Sequence, residues 1–124
     1  TGDTRWRHQA ERTIGAFSGQ TQALLAMPTL LAAADLLENG ATVAVAGSLE
    51  DSGTKRLITA ALALPDPAVV VLHASDGAAL PEGHPAFGKG PVEGQPAAYP
   101  CRGGTCGVPV LRPETLAAAL HRAA

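Results

Sequence analysis

The sequence predicts an α/β fold: two lead-in helices followed by a small βαβ-ββ-α unit, with a mostly parallel sheet and a terminal hairpin. Three stretches carry this reading. "ATVAVAG" (41–47) and "AVVVLHA" (68–74) are short β-branched runs closed by small residues, the mark of buried strands. The residues between them, 52–64, place Leu57, Ile58, Ala61 and Leu64 at helical spacing. Strand, helix and strand joined this closely imply a parallel pair with a right-handed crossover.

Residues 3–17 read as the first helix. Asp3 or Thr1 is placed to cap it, and Trp6, Ala10, Ile14 and Phe17 recur along one side. A second helical region covers 21–38 and is divided by Pro28, either as a kink or as the first-turn residue of a new helix. Its leucines fall on more than one face, so it calls for neighbours on several sides. Asn39-Gly40 ends it. After the second strand, residues 75–95 are rich in Gly and Pro and read as a loop, with one helical turn expected near Pro85-Ala86-Phe87. "AAYPC" (97–101) and "CGVPV" (106–110) read as two short strands around Arg102-Gly103-Gly104-Thr105. Pro100 and Pro109 cannot donate to a ladder, which puts these strands at an edge or leaves them an unpaired side. Pro113 opens a last helix with Leu116, Ala119 and Leu120 inward. The division is thus a helical lead-in over 1–40 and an α/β unit over 41–124.

Composition excludes several functions. The chain has 124 residues, a net charge of −2 and scattered basic residues, which disfavours a nucleic-acid surface. No apolar run approaches the roughly 18 residues of a membrane span, and no stretch has a signal-peptide pattern; a cytoplasmic location is the expectation. The chain starts at Thr1 with a helix already under way, the pattern of a processed chain or of the C-terminal piece of a longer one.

The candidate chemistry centres on Cys101 and Cys106, the two cysteines of the chain. A hairpin sets them opposite each other, with Cα atoms about 4.5–5.5 Å apart if the pair is not hydrogen-bonded. That suits a disulfide or a redox-sensitive pair; two packed thiols are the alternative. A bridge over so short a loop restricts the unfolded chain little, by about 2 kcal/mol. Four intervening residues and no following helix do not fit a thioredoxin-type site. The histidines (His8, His73, His84 and His121) form no paired metal motif, so no metal and no cofactor are expected. The loop 47–56 offers backbone N–H groups at a helix start, but it lacks a phosphate-binding glycine signature and carries Glu50 and Asp51. These acids suit a capped first turn. Ser75-Asp76 after His73 reads as a capped turn rather than part of a triad. No residue is assigned a catalytic role.

"VAVAGSLEDSGTKRLITAAL", "AVVVLHA" and "GQPAAYPCRGGTCGVPVLRPETLAAAL" together resemble the C-terminal end of the YyaL-like thioredoxin domain-containing proteins, which include the spermatogenesis-associated thioredoxin-like protein of animals. Tyr99, Cys101, Cys106 and Pro109 match that family's closing Tyr-x-Cys-x-x-x-x-Cys-x-x-Pro segment. "TGDTRWRHQAERTIGAF" is similar to one of the last helices of its α/α barrel. The resemblance implies a longer parent with an upstream thioredoxin-like domain and a barrel of the six-hairpin glycosidase type. This region would be its non-catalytic C-terminal part. A redox accessory role for the cysteine pair and carbohydrate chemistry in the parent are the alternatives it implies. The partners implied are the upstream domains, or a second copy through the exposed helices, with neither nucleic acid nor membrane.

Overall fold

A computed structural model describes residues 3–17, 19 and 26–123. Helix α1 (Thr4–Phe17) is followed by α2 (Pro28–Asn39), then β1 (Ala41–Ala46), α3 (Ser52–Leu62) and β2 (Val69–Ala74). A long loop leads to β3 (Ala97–Arg102), β4 (Thr105–Cys106) and α4 (Leu116–Arg122). The predicted α/β class holds. The helical reading of 21–25 lies outside the described residues, and α2 begins at Pro28 with Met27 as its cap residue. Asp3 caps α1, its Oδ1 accepting from Arg5 N at 3.0 Å.

The sheet order is β2-β1-β3-β4. β1 and β2 are parallel, as expected of their short crossover, while β3 runs antiparallel to β1, and β4 to β3. The mostly parallel expectation therefore holds for β1 and β2, and the sheet as a whole is mixed.

Two further expectations are corrected. β2 is not a buried strand: it is the outermost strand of the sheet, with Val70 40% exposed. A β-branched run has the same sequence signature in the middle of a sheet as at its border. β3, in contrast, is no edge, because β1 flanks it on one side and the returning chain on the other. Ala98 exchanges both backbone hydrogen bonds with Val110 at 2.8 Å, so residues 98 and 100 turn their peptide groups toward the return strand. There Pro100 needs only its carbonyl, which accepts from Gly107 N at 2.8 Å. The predicted strand over 106–110 is reduced to the two residues of β4 and the Ala98–Val110 bridge. Pro109, lacking an N–H, sits in the gap between them.

Strand alternation gives the sheet two different faces. On one, Ala41, Val43 and Val45 of β1 and Ala98 of β3 meet Leu57 and Ala61 of α3 and Leu116, Ala119 and Leu120 of α4, forming the core. The other carries Ala44, Ala46, Ala97 and Cys101, all buried. The loop over 75–95 covers it, with Ala86 1% exposed. The expected helical turn near Pro85-Ala86-Phe87 is a hydrogen-bonded turn, Phe87 N to His84 O at 2.8 Å, and the 3-10 helix lies earlier, at Gly77–Ala79. Asp76 caps that helix through Ala78 N at 2.9 Å, which is the capped turn read from the sequence.

α1 and α2 pack on each other and contain no buried residue. Carbonyls at the C-terminus of α2 hold both neighbours: Arg7 Nη2 of α1 donates to Leu37 O at 3.2 Å, and Arg102 Nη1 of β3 donates to Asn39 O, tying the helix pair to the sheet. Cations suit this end of a helix, where carbonyls lack partners and the dipole is negative.

Candidate functional site: the terminal hairpin and its disulfide

The hairpin turns on two residues, Gly103 and Gly104, with φ of 57° and 83°. A two-residue turn with both φ values positive matches the twist of the flanking strands, and glycine takes it without steric cost. This is tighter than the four-residue loop expected, because Arg102 and Thr105 still pair. The next pair outward is Cys101 and Cys106. The two are joined in a disulfide, with Cα atoms 3.9 Å apart. The spacing is shorter than the roughly 4.5–5.5 Å expected from the sequence.

The two sulfurs lie in different surroundings. Cys101 is 8% exposed on the loop-covered face, its Sγ 3.7 Å from Tyr99 O. Cys106 is exposed. Two hollows reach it. One, of about 390 Å³, is lined by Thr42, His84, Phe87, Lys89, Cys101 and the glycine turn. The other, of about 440 Å³, is lined by Arg102, Thr105, Gly107 and Arg122. Among the described residues no carboxylate lines either.

Arg102 links the hairpin to the rest of the molecule. Its Nη2 donates to Asp66 Oδ2 at 3.0 Å, while Nη1 holds Asn39 O. The Asp66 carboxyl is held below its ordinary 3.8, first by the N–H of Ala68 and then by Arg102. A carboxylate whose folded pKa is depressed stabilises the fold fully above its unfolded value and loses that contribution as pH falls through the folded one. Asp66→Asn is therefore expected to lower stability at neutral pH, and the gap to the parent chain should close as pH drops below 3.8, measured by urea denaturation across pH.

Tyr99 has a positioning role: its hydroxyl donates to Gly90 O at 2.6 Å and pins the covering loop to β3. Pro109 is exposed and touches neither hollow. His73 is not near the cysteines; its Nε2 lies 2.8 Å from Gly47 O. His84 does reach the disulfide's hollow, and its Nδ1 accepts from Ala86 N at 3.1 Å. Among the described residues no three His, Cys, Asp or Glu side chains are grouped to hold a metal ion. The start of α3 is closed by Asp51, whose Oδ1 accepts from Gly53 N at 2.6 Å. Beneath it Thr54 is fully buried, its Oγ1 2.5 Å from where a Cβ on Gly47 would stand.

Sequence reasoning missed Phe87, Lys89 and Arg122 around the cysteines. Arg122 sits on a predicted helix, but nothing in a sequence tells which loop a helix end faces. Lys89 and Phe87 lie in a segment without periodicity, which gives no signal of the surface it covers. Comparison of the chain with protein-family models, with curated proteins and with solved structures finds no match.

Proposed function

We propose that this chain is a non-catalytic structural module that completes a larger helical assembly through α1 and α2, with the α/β unit as its terminal cap. The observation that carries this reading is the apolar hollow between the two helices, about 520 Å³ and lined by Trp6, Ala10, Ile14, Leu30, Ala33 and Leu37. Trp6 is 68% exposed there. A tryptophan left in water on an amphipathic helix pair is the pattern of a surface that another element covers. The resemblance of Tyr99, Cys101, Cys106 and Pro109 to the close of YyaL-like thioredoxin domain-containing proteins names the covering element: the preceding helices of an α/α barrel in the same polypeptide. Activity, redox or carbohydrate-directed, would then belong to the upstream domains.

Trp6 is the single tryptophan, which makes it a clean probe. The test is to express the chain together with the coding sequence that precedes it and to compare Trp6 emission and amide exchange with the chain alone. The expected result is a blue shift of Trp6 and added protection across α1 and α2 in the longer protein. Equal exposure in both forms, or a preceding sequence without helical hairpins, overturns the reading. Trp6 becoming buried with rising concentration of the chain alone would instead assign the surface to a second copy.

A further inference from the structure

The cysteine pair carries an inference that stands apart from the helical docking surface. A disulfide that only clips a hairpin has no need of an exposed sulfur, nor of hollows around it free of carboxylates. Here both are present. Cys106 is exposed, while Cys101, which also lines the hollow of about 390 Å³, is only 8% exposed, so an incoming thiolate has the wider access at Cys106. The cations around Cys106 come from three separate elements: Lys89 from the covering loop, Arg102 from β3 and Arg122 from α4. Lys89 Nζ donates to a neutral carbonyl, Pro85 O, so its charge is uncompensated by that partner. The charge of Arg102 is partly offset by Asp66. The hollows that reach Cys106 thus gather three cations in a chain whose overall charge is −2, while Glu38 stands with Arg7 in a separate hollow against Gly103 and Gly104. Thiolates attack and thiolates leave in disulfide exchange, so a positive surrounding favours both.

We propose that Cys101–Cys106 is an exchange-active disulfide, opened at Cys106 by a small thiol that bears a carboxylate. The thiolate attacks Cys106 Sγ, forming a mixed disulfide on Cys106 while the Cys101–Cys106 bond breaks. Cys101 leaves as a thiolate and takes a proton, and its Sγ–H then has Tyr99 O as acceptor. A second equivalent of the same thiol attacks the mixed disulfide, releasing Cys106. Two thiols supply two electrons and two protons, and the products are one small-molecule disulfide and two protein thiols. The hollow of about 390 Å³ holds a ligand of this size, with Phe87 offering apolar contact and Lys89 the cation.

Three thiols test this on the whole chain: glutathione with its carboxylates, neutral 2-mercaptoethanol and cationic cysteamine, compared at equal thiolate concentration. Opening is followed by acid quench, alkylation and peptide mass mapping. The trapped adduct is expected on Cys106. Glutathione is expected to react about threefold faster than the neutral thiol for each uncompensated cation it meets, and cysteamine slower still. The spread should shrink at high salt. Lys89→Gln should reduce the preference for glutathione without abolishing opening. An adduct on Cys101, equal rates for the three thiols, or a disulfide that none of them opens would overturn the proposal. The thiol series needs no variant, so a poorly folded Lys89→Gln chain leaves the test intact.

Discussion

Gly77→Ala is expected to cost about 3 kcal/mol, seen as a lowered urea midpoint, and to reduce the preference of the disulfide for anionic thiols. Gly77 is where the covering loop closes on itself. Its N–H donates to Lys89 O at 2.9 Å, and its carbonyl accepts from Gly88 N at 3.2 Å. A Cβ here would lie 2.1 Å from Ala86 O and 2.4 Å from Lys89 O. Both are backbone atoms of the segment it holds, so the clash is not relieved by turning a side chain. The loop would have to move, taking His84, Phe87 and Lys89 away from the hairpin. Gly88→Ala is the control. Its φ of 69° is in the left-handed region and nothing lies within 4 Å, so it should cost only about 1 kcal/mol of backbone strain. If Gly77→Ala were as mild as Gly88→Ala, the anchoring role of Gly77 would be wrong.

Leu57→Ala is expected to cost about 2–5 kcal/mol, a large share of the ordinary stability of a domain. Leu57 is 1% exposed and belongs to the same core cluster as Val43, Val45 and Leu116. Four of the ten residues in that core are alanines, Ala41, Ala61, Ala98 and Ala119, held close to the backbone. Such neighbours have no flexible side chain with which to fill a cavity, so the cost should fall toward the upper part of the range. Leu62, five residues on and on the outer side of the helix, is 69% exposed, and Leu62→Ala should change stability by no more than about 0.5 kcal/mol. Comparable losses at the two positions would mean that α3 packs on a different side.

The elements were legible where hydrophobic period and punctuation agree. The run at 41–47, the leucine spacing of α3 and the Pro113 start of the last helical segment each point to one outcome. Cys101 and Cys106 were legible as opposed residues because a Gly-Gly turn leaves few registers. What the sequence could not carry was lateral order. β1 and β2 read alike, yet one is central and the other outermost, because burial depends on where β3 inserts. Pro100 suggested an edge, and the interior position of β3 is tolerated only because its missing N–H faces an irregular return strand. The surroundings of the disulfide depend on the loop over 75–95, which has no periodic pattern, and contacts made by such a loop follow from the surface beneath it.

The outermost position of β2 has its own result for solution behaviour. Strands at a sheet border usually carry a lysine or another charge that discourages a second chain from extending the ladder. The segment Val69-Val70-Val71-Leu72 has none, and the one polar residue of the strand, His73, is drawn to Gly47 O. The carboxylates nearest in sequence, Asp66 and Asp76, lie beyond its ends and accept from turn N–H groups there. In concentrated protein this border is therefore an expected site of intermolecular strand addition.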